Sequence, residues 1–245
     1  MNNRSMLGNI PPVVKNLIIV NVLLLVATFI LENAGINLYT YLGLFFPASE
    51  NFMLHQVFTH MFMHGGLTHI FFNMFALWMF GRVLESVWGP KRFLTYFLVT
   101  GIGAAALHTL VNYFEYQSVI SNLSSEQVEY VREVGSNIWT EGKNFTDPQL
   151  SKLNIILNTP TVGASGAVFG ILLGFGVLFP NTQLMLLFPP IPIKAKYFVI
   201  GYGVLELYLG LSRPGSNVAH FAHLGGMLFG FILIKYWNKS RNNFY

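Results

Sequence analysis

Cysteine is absent from the 245-residue chain, and charged side chains are scarce. Without cysteine there are no disulfide bonds and no thiolate metal sites. Asp, Glu, Lys and Arg make up 10% of the residues and hydrophobic types 53%, whereas soluble domains carry about 25% charged residues. This composition indicates an integral membrane protein.

Six apolar runs are long enough to cross a bilayer as helices, which takes about 20 residues. They are residues 13–32, 67–88, 93–114, 162–179, 195–211 and 218–237. Lipid offers the backbone no hydrogen-bond partner, so the expected fold is an all-α, polytopic membrane helix bundle. The first run lacks a small-residue cleavage site after it, which favours a retained span over a signal peptide. We expect residues 1–245 to form one membrane domain.

Basic residues are divided unequally between the two sides of this bundle. If the N-terminus is cytoplasmic, ten of the 14 Lys and Arg residues lie on the cytoplasmic side and four on the other. By the positive-inside rule, this distribution predicts that both termini are cytoplasmic.

The longest external segment, residues 115–160, contains most of the acidic side chains. Ser124 precedes Gln127 by three positions, the spacing of a capping box. Val128, Val131 and Val134 follow at helical intervals. These patterns are typical of a short amphipathic helix, and a solvated loop is an equally good interpretation. The segment is a candidate for covering the site, binding a partner or recognising substrate.

Polar side chains from three predicted spans converge near the external face. Ser165 lies about one turn into the fourth span, His220 and His223 in the first turns of the sixth, and His69 and Asn73 near the outer end of the second. At 1.5 Å per residue, these positions are about 5–10 Å deep. Each alone is readily explained as a structural hydrogen-bond partner, but ionisable groups inside a bilayer are costly and usually functional. Their shared depth therefore favours a catalytic site.

Glycines recur on the two helices that carry Ser165 and His223. The fourth span has Gly163, Gly166, Gly170 and Gly174, and the sixth has the pair Gly226 and Gly230. Such spacing is most often a packing seam. Here the seam would let the two helices approach within hydrogen-bond distance.

The residue types exclude several hydrolytic chemistries. None of the seven histidines is followed by Glu, which excludes the H-E-x-x-H zinc motif. Asp147 is the only aspartate, so an aspartyl protease pair is excluded and a Ser-His-Asp triad would need this external residue. Glu206 in the fifth span is the one glutamate at a suitable depth, and its role stays open. The economical interpretation is a Ser-His dyad.

In that mechanism His223 accepts the proton of Ser165 as the hydroxyl attacks a peptide carbonyl. Amides at the start of the Ser165 helix lack intrahelical partners. Together with His69 and Asn73, they are candidates for stabilising the oxyanion, and Gly163 is a further candidate in that group. Glycines around Ser165 would keep side chains away from the scissile bond. No metal or cofactor is implied.

The chain contains the motifs "GASG" (Gly163–Gly166), "AHLGG" (Ala222–Gly226), "HGGLTHIFFN" (His64–Asn73) and "GRVLE" (Gly81–Glu85). These four motifs resemble those of the rhomboid family of intramembrane serine proteases. The resemblance implies Ser165 as nucleophile, His223 as base and His69 with Asn73 at the oxyanion site. It implies a structural role for "GRVLE".

The resemblance also implies a function and a partner. The substrate would be a single-span membrane protein cut in or near its external transmembrane end, with the fifth helix and the loop "SRPGSN" (Ser212–Asn217) as gating elements. The expected partners are lipid and transmembrane substrates, with no nucleic acid. Many family members have a Trp-Arg pair where this chain has His55-Gln56, which leaves the anchoring of the first external loop open.

Two other functions compete with proteolysis. An inactive rhomboid-like protein would bind membrane clients without cutting them, and intact Ser165 and His223 argue against this. A transporter would use His69, His108, His220 and Glu206 as an ion path, but it requires polar residues through the whole membrane depth. The six-span layout and the lack of a targeting segment favour a bacterial plasma membrane, with the site open to the external side.

Overall fold

Helices form most of the described chain. The structure is a computed structural model that describes residues 10–185, 190–212 and 219–242, with side chains up to residue 239. The helices are α1 (Pro12–Asn33), α2 (Leu38–Leu42), α3 (Gln56–Thr59), α4 (Leu67–Ala76), α5 (Arg82–Trp88), α6 (Pro90–Ile120), α7 (Ser125–Thr140), α8 (Pro148–Asn158), α9 (Ser165–Leu178), α10 (Ala195–Ser212) and α11 (His220–Asn242). A 3₁₀ turn, His60–Phe62, follows α3, and a π-helical segment, Leu77–Gly81, joins α4 to α5.

All six predicted spans coincide with helices. Within the described residues, three stretches are long and apolar enough to cross a membrane, namely Pro12–Asn33, Leu67–Trp88 and Pro90–Ile120. The third is longer than predicted, mainly at its C-terminal end, and α9 begins at Ser165, three residues later than predicted. The crossing of α9, α10 and α11 and the cytoplasmic position of the termini stay predictions.

The centre of the bundle is the contact of α11 with α6 and α9. A Cβ atom on Gly226 would overlap the backbone of Gly166, so these two glycines allow α9 and α11 to touch. The Tyr96 hydroxyl on α6 donates to the Gly170 carbonyl at 2.8 Å. The predicted packing of the glycine seams is therefore confirmed, because both helices approach through them.

A short antiparallel pair lies between α9 and α10. Strand β1 (Gln183–Met185) pairs with β2 (Pro192–Lys194), with Gln183 opposite Lys194. The proposed gating loop, Ser212–Asn217, lies outside the described residues except for Ser212 at the end of α10.

The "GRVLE" motif has the structural role expected of it. Buried Glu85 accepts hydrogen bonds from the backbone N–H groups of Val13 (2.9 Å) and Val14 (2.8 Å). These amides lie in the first turn of α1, where no intrahelical acceptor exists. Glu85 thus caps α1 and ties it to α5.

Gln56 anchors the first external loop. Its fully buried amide accepts from the N–H groups of Phe45 (3.3 Å) and Met53 (3.0 Å). It donates to the carbonyl oxygens of Thr40 (3.1 Å) and Asn51 (2.9 Å). A single glutamine therefore closes the loop at the place where the resemblance leads one to expect a Trp-Arg pair.

The external segment contains two helices, α7 and α8. The predicted capping box is present, since Gln127 N–H donates to Ser124 Oγ and Ser124 N–H donates to Gln127 Oε1. This confirms the helix over the loop interpretation. The sequence reasoning missed α8, which Asp147 caps by accepting from Gln149 N–H at 2.8 Å and Leu150 N–H at 3.0 Å.

The two helices pack on the C-terminal end of α6 through a second hydrophobic core. Its buried residues are Phe46, Tyr116, Val119, Val131, Leu153, Ile156 and Leu157. Arg132 on α7 also donates to the Tyr116 hydroxyl at 3.0 Å. The pair is therefore fixed against the bundle.

Candidate active site

Ser165 is the first residue of α9, and backbone hydrogen bonds hold the segment that leads to it. Leu44 and Thr161 exchange two backbone hydrogen bonds of 2.9 and 2.8 Å. Gly163 N–H then donates to the His60 carbonyl at 2.9 Å. The first external loop thus positions the serine, and Gly163 N–H already has a partner.

His223 lies beside Ser165 although 58 residues separate them. Its Nε2 atom is 3.0 Å from Ser165 Oγ, and its Nδ1 atom is 2.9 Å from Glu206 Oε2. A carboxylate oxygen only accepts hydrogen bonds, so Nδ1 carries the ring proton. Nε2 is therefore free to accept the serine proton, as a general base must.

Glu206 makes a second contact of the same kind. His220 Nδ1 lies 2.7 Å from the same Oε2 atom, so both histidines donate to one carboxylate oxygen. All three residues are buried, with 5% of Glu206, 7% of His220 and 8% of His223 exposed. The relative depth of these residues was predicted, but the shared oxygen was not.

Phe169 supports the imidazole from its face. The rings of Phe169 and His223 stack with centroids 4.1 Å apart and planes 5° apart. Tyr202 stacks on Phe169 in turn, at 5.1 Å. Sequence reasoning missed Phe169, although its position one helical turn after Ser165 places it on the same face of α9.

His69 lies against the backbone of Gly163, two residues before Ser165. Gly163 has φ of +125°, and a Cβ atom there would lie 2.8 Å from both His69 Cε1 and His69 Nε2. Gly65 N–H donates to His69 Nδ1 at 3.3 Å, which leaves the ring proton on Nε2. His69 therefore presents a donor next to Ser165.

Asn73 supplies a second donor. Its side chain is buried, and its Nδ2 atom has no hydrogen-bond partner among the described residues. An unpaired buried amide is costly, and such atoms in native proteins call for an explanation. Asn73 borders the same cavity as Ser165, so a ligand oxygen there would satisfy it.

Two further histidines, His60 and His64, lie in the segment between α3 and α4. Burial lowers the pKa of His60 to about 4, and its Nδ1–H donates to the Gln56 carbonyl at 2.9 Å. Burial and then the neighbouring His69 lower the pKa of His64 to about 4. Both rings are thus neutral at pH 7 and add no charge beside the site.

One cavity of about 810 Å³ connects the serine, its histidine and the two candidate oxyanion donors. It is bordered by Ser165, His223, His220, His69, Asn73 and also His108, which lies on α6. Trp139 of α7 and Ile155 and Ile156 of α8 form part of its wall. Ligand pockets in proteins are typically about 300–1,000 Å³, so this one is large enough for a peptide segment.

Glu206, His220 and His223 are also the one group of described residues with the composition of a metal site, with ligand atoms within 4.8 Å of one another. The hydrogen bonds of 2.7 and 2.9 Å to Oε2 account for their closeness without a metal. The donor set therefore does not require an ion.

Comparison of the sequence with known proteins assigns the chain to a family. A family model described as the rhomboid domain matches residues 51–239. This chain belongs to the rhomboid family. Its motifs, recognised above by resemblance, lie within the matched residues.

Several curated rhomboids are similar to the chain. "Rhomboid protein 1, mitochondrial" of Saccharomyces cerevisiae is 26% identical over 179 residues, which are 73% of this chain and 40% of that protein. "RHOMBOID-like protein 12, mitochondrial" of Arabidopsis thaliana is 29% identical over 209 residues, 80% of this chain and 53% of that protein. "Rhomboid protease AarA" of Providencia stuartii is 29% identical over 183 residues, 71% of this chain and 52% of that protein. The chain thus spans about half the length of these relatives.

These matches indicate a membrane protein but do not indicate which membrane contains it. The relatives from yeast and Arabidopsis are named as mitochondrial, and the one from Providencia is bacterial. The expectation of a bacterial plasma membrane is therefore not supported.

Proposed function

We propose that this rhomboid protein is an intramembrane serine endopeptidase that cuts transmembrane protein substrates with a Ser165–His223 dyad. The observation that carries the proposal is the 3.0 Å contact between Ser165 Oγ and His223 Nε2 at the border of an 810 Å³ cavity. Structural side chains buried between helices do not need access to such a space.

The reaction follows from the positions of these two side chains. Ser165 Oγ attacks the carbonyl carbon of the scissile peptide while its proton passes to His223 Nε2. The C–N bond then breaks, His223 returns the proton to the leaving amine, and Ser165 keeps the acyl group. A water molecule, deprotonated by His223, hydrolyses the ester and restores the serine hydroxyl. This sequence needs no metal or cofactor.

The developing oxyanion requires donors, each worth about 10²–10³ in rate. Asn73 Nδ2 is unpartnered within the described chain, and His69 carries a proton on Nε2. The N–H groups of the first turn of α9 have no intrahelical acceptor. Gly163 contributes space rather than a donor, because its N–H is bonded to His60.

The proposal includes the placement of the site in the bilayer. The chain would form one domain with six spans and both termini on one side, and the cavity would open on the opposite side. At 1.5 Å per residue, the 14 residues of α9 span about 21 Å, less than the hydrocarbon core of about 30 Å. Ser165 would therefore be recessed and still reached by water through the cavity.

The helices α7 and α8 would bind substrate as a wall of this cavity. Trp139, Ile155 and Ile156 offer an apolar surface that suits the side chains of a transmembrane segment. Of the three roles considered for residues 115–160, substrate recognition is the one that their position favours. The cut would lie near the outer end of the substrate span, where the chain unwinds most easily.

The test is cleavage of a single-span reporter by the purified protein in liposomes. Wild type should cut it once, and Ser165→Ala and His223→Ala should reduce the rate by at least about 10³-fold. If folded wild type binds the reporter without cutting it, the protein is a client-binding rhomboid and the proposal is wrong.

A further inference from the structure

The strongest unassigned feature is the carboxylate of Glu206 behind His223. Helix α10 is largely exposed, and Ala195, Val199 and Glu206 are its only buried residues within the described chain. Burying a carboxylate between helices costs desolvation free energy unless the group is paired and hydrogen-bonded. Glutamine would link helices at a lower cost, so the charge itself needs a reason.

We propose that Glu206 is a positioning residue for the Ser165–His223 dyad, and that His220 holds its carboxylate in place. This inference rests on the proposed function. The carboxylate accepts the Nδ1 proton of His223 at 2.9 Å, which directs the lone pair of Nε2 at Ser165 Oγ 3.0 Å away. Two successive hydrogen bonds therefore connect Glu206 to His223 and His223 to Ser165.

The arrangement stabilises the charged state that the reaction creates. When His223 takes the serine proton, its imidazolium lies against an ionised carboxylate in a buried, low-dielectric place, where the attraction is strong. The proton on Nδ1 stays there, and only the Ser165 proton moves. Carboxylates with this role in serine hydrolases orient the histidine and are not themselves protonated.

His220 explains how a long side chain on a peripheral helix stays in position. Its Nδ1–H bond of 2.7 Å converges on the Oε2 atom that His223 also uses. Two N–H donors on one oxygen keep the carboxylate ionised and limit its rotation. With Phe169 stacked at 4.1 Å, the imidazole of His223 is held at its face and at both nitrogens.

A purely structural link between helices would behave differently. Such a link needs a hydrogen bond but no charge, so glutamine would replace the glutamate. A positioning carboxylate cannot be replaced in this way, because the amide can donate to Nδ1 and favour the wrong tautomer of His223.

The kinetic test compares Glu206→Gln with wild type on the reporter substrate. We expect kcat to fall by about 10²–10⁴-fold with KM within about threefold. The pH profile of kcat should also differ from that of wild type, because the variant removes a negative charge beside the base. Among the described residues, the other titratable groups near His223 or its carboxylate are His220, His69, His108 and Tyr202, and none of them changes in this variant.

Three further variants sharpen this comparison. Glu129→Gln removes one negative charge from an exposed position on α7 and should leave both parameters and the pH profile unchanged. His220→Ala should lower kcat by about tenfold, less than Glu206→Gln, and His220→Gln, which can still donate to Oε2, should restore part of the loss. Glu206→Gln that cuts at the wild-type rate with an unchanged profile overturns the proposal.

A second measurement on wild type tests the proposal even if Glu206→Gln does not fold. Nitrogen-15 spectra of histidine-labelled wild type, assigned with His220→Gln and His223→Gln, report the tautomer of each ring. We expect protonated Nδ1 and unprotonated Nε2 in His223 at neutral pH, and the opposite tautomer overturns the proposal. This measurement does not depend on activity, so it separates failure of the positioning role from failure of the protease function.

A chelator provides a further test. If wild type stops cutting when a chelator is added, Glu206, His220 and His223 bind a metal ion, and the proposed positioning role is wrong.

Discussion

His223 stacks face to face on Phe169, with ring centroids 4.1 Å apart. This contact joins the two helices that carry the nucleophile and the base, because Phe169 lies one turn after Ser165 on α9. The orientation of the imidazole is therefore set by the same helix that places the serine.

Phe169→Ala should lower kcat by about tenfold or more, since aromatic stacking worth about 0.5–1.5 kcal/mol beyond the buried area is lost and the imidazole can turn away from Ser165. The measurement is the cleavage rate at saturating reporter. Phe169→Tyr keeps the ring and should retain most of the activity. An alanine variant as fast as wild type would show that the stack does not orient His223.

Gly163→Ala should abolish most activity, by at least about 10²-fold. The added Cβ atom would lie 2.8 Å from the His69 ring, in a backbone with φ of +125°. Gly35→Ala is a matched control, because Gly35 also has positive φ, +80°, but nothing lies within 4 Å of an added Cβ atom. Thermal unfolding should show that both variants lose about 1–3 kcal/mol of stability. Only Gly163→Ala should lose cleavage activity. Equal activity of the two would argue against close approach at Gly163.

Trp139→Ala should raise KM by about tenfold and change kcat by less than about threefold, because the side chain forms part of the cavity wall away from the reacting groups. Initial rates over a range of reporter concentrations in the membrane give both parameters. Tyr130→Ala removes another aromatic side chain from α7 that does not border the cavity, and its KM should be unchanged. A fall in kcat at constant KM would contradict substrate binding by this helix.

Stability should fall as the pH drops from about 6.5 to about 4. His60 and His64 have a pKa of about 4 in the folded protein, below the usual 6.5, so the unfolded chain binds more protons in this range. The check is the unfolding temperature of the inactive Ser165→Ala protein between pH 4 and 8. His64→Gln should make the dependence shallower. The same slope in the variant and its parent would exclude His64 as a contributor.

The positions of the helices and the depth of the polar residues were open to prediction from sequence. Hydropathy alone locates the span Leu67–Trp88 at both ends, and the spacing of Ser124 and Gln127 gives the start of α7. Lipid makes these local patterns decisive, since apolar length and capping act within one segment.

Other features depend on contacts between distant parts of the chain. The bond network of Gln56 and the oxygen of Glu206 shared by His220 and His223 form only after the helices pack. No periodicity in the sequence encodes them. Helix α8 does carry a local start signal, Asp147 as N-cap followed by Pro148, whereas its packing on the end of α6 and on Phe46 depends on the folded chain.

The most direct test of the central claim is covalent labelling of the purified protein with an alkyl fluorophosphonate, followed by intact and peptide mass spectrometry. We predict one adduct per chain, on the peptide that contains Ser165. It should be absent in Ser165→Ala and form at least about 10²-fold more slowly in His223→Ala. A folded wild-type protein that takes no label, or a label that persists in Ser165→Ala, would contradict the assignment of Ser165 as the nucleophile.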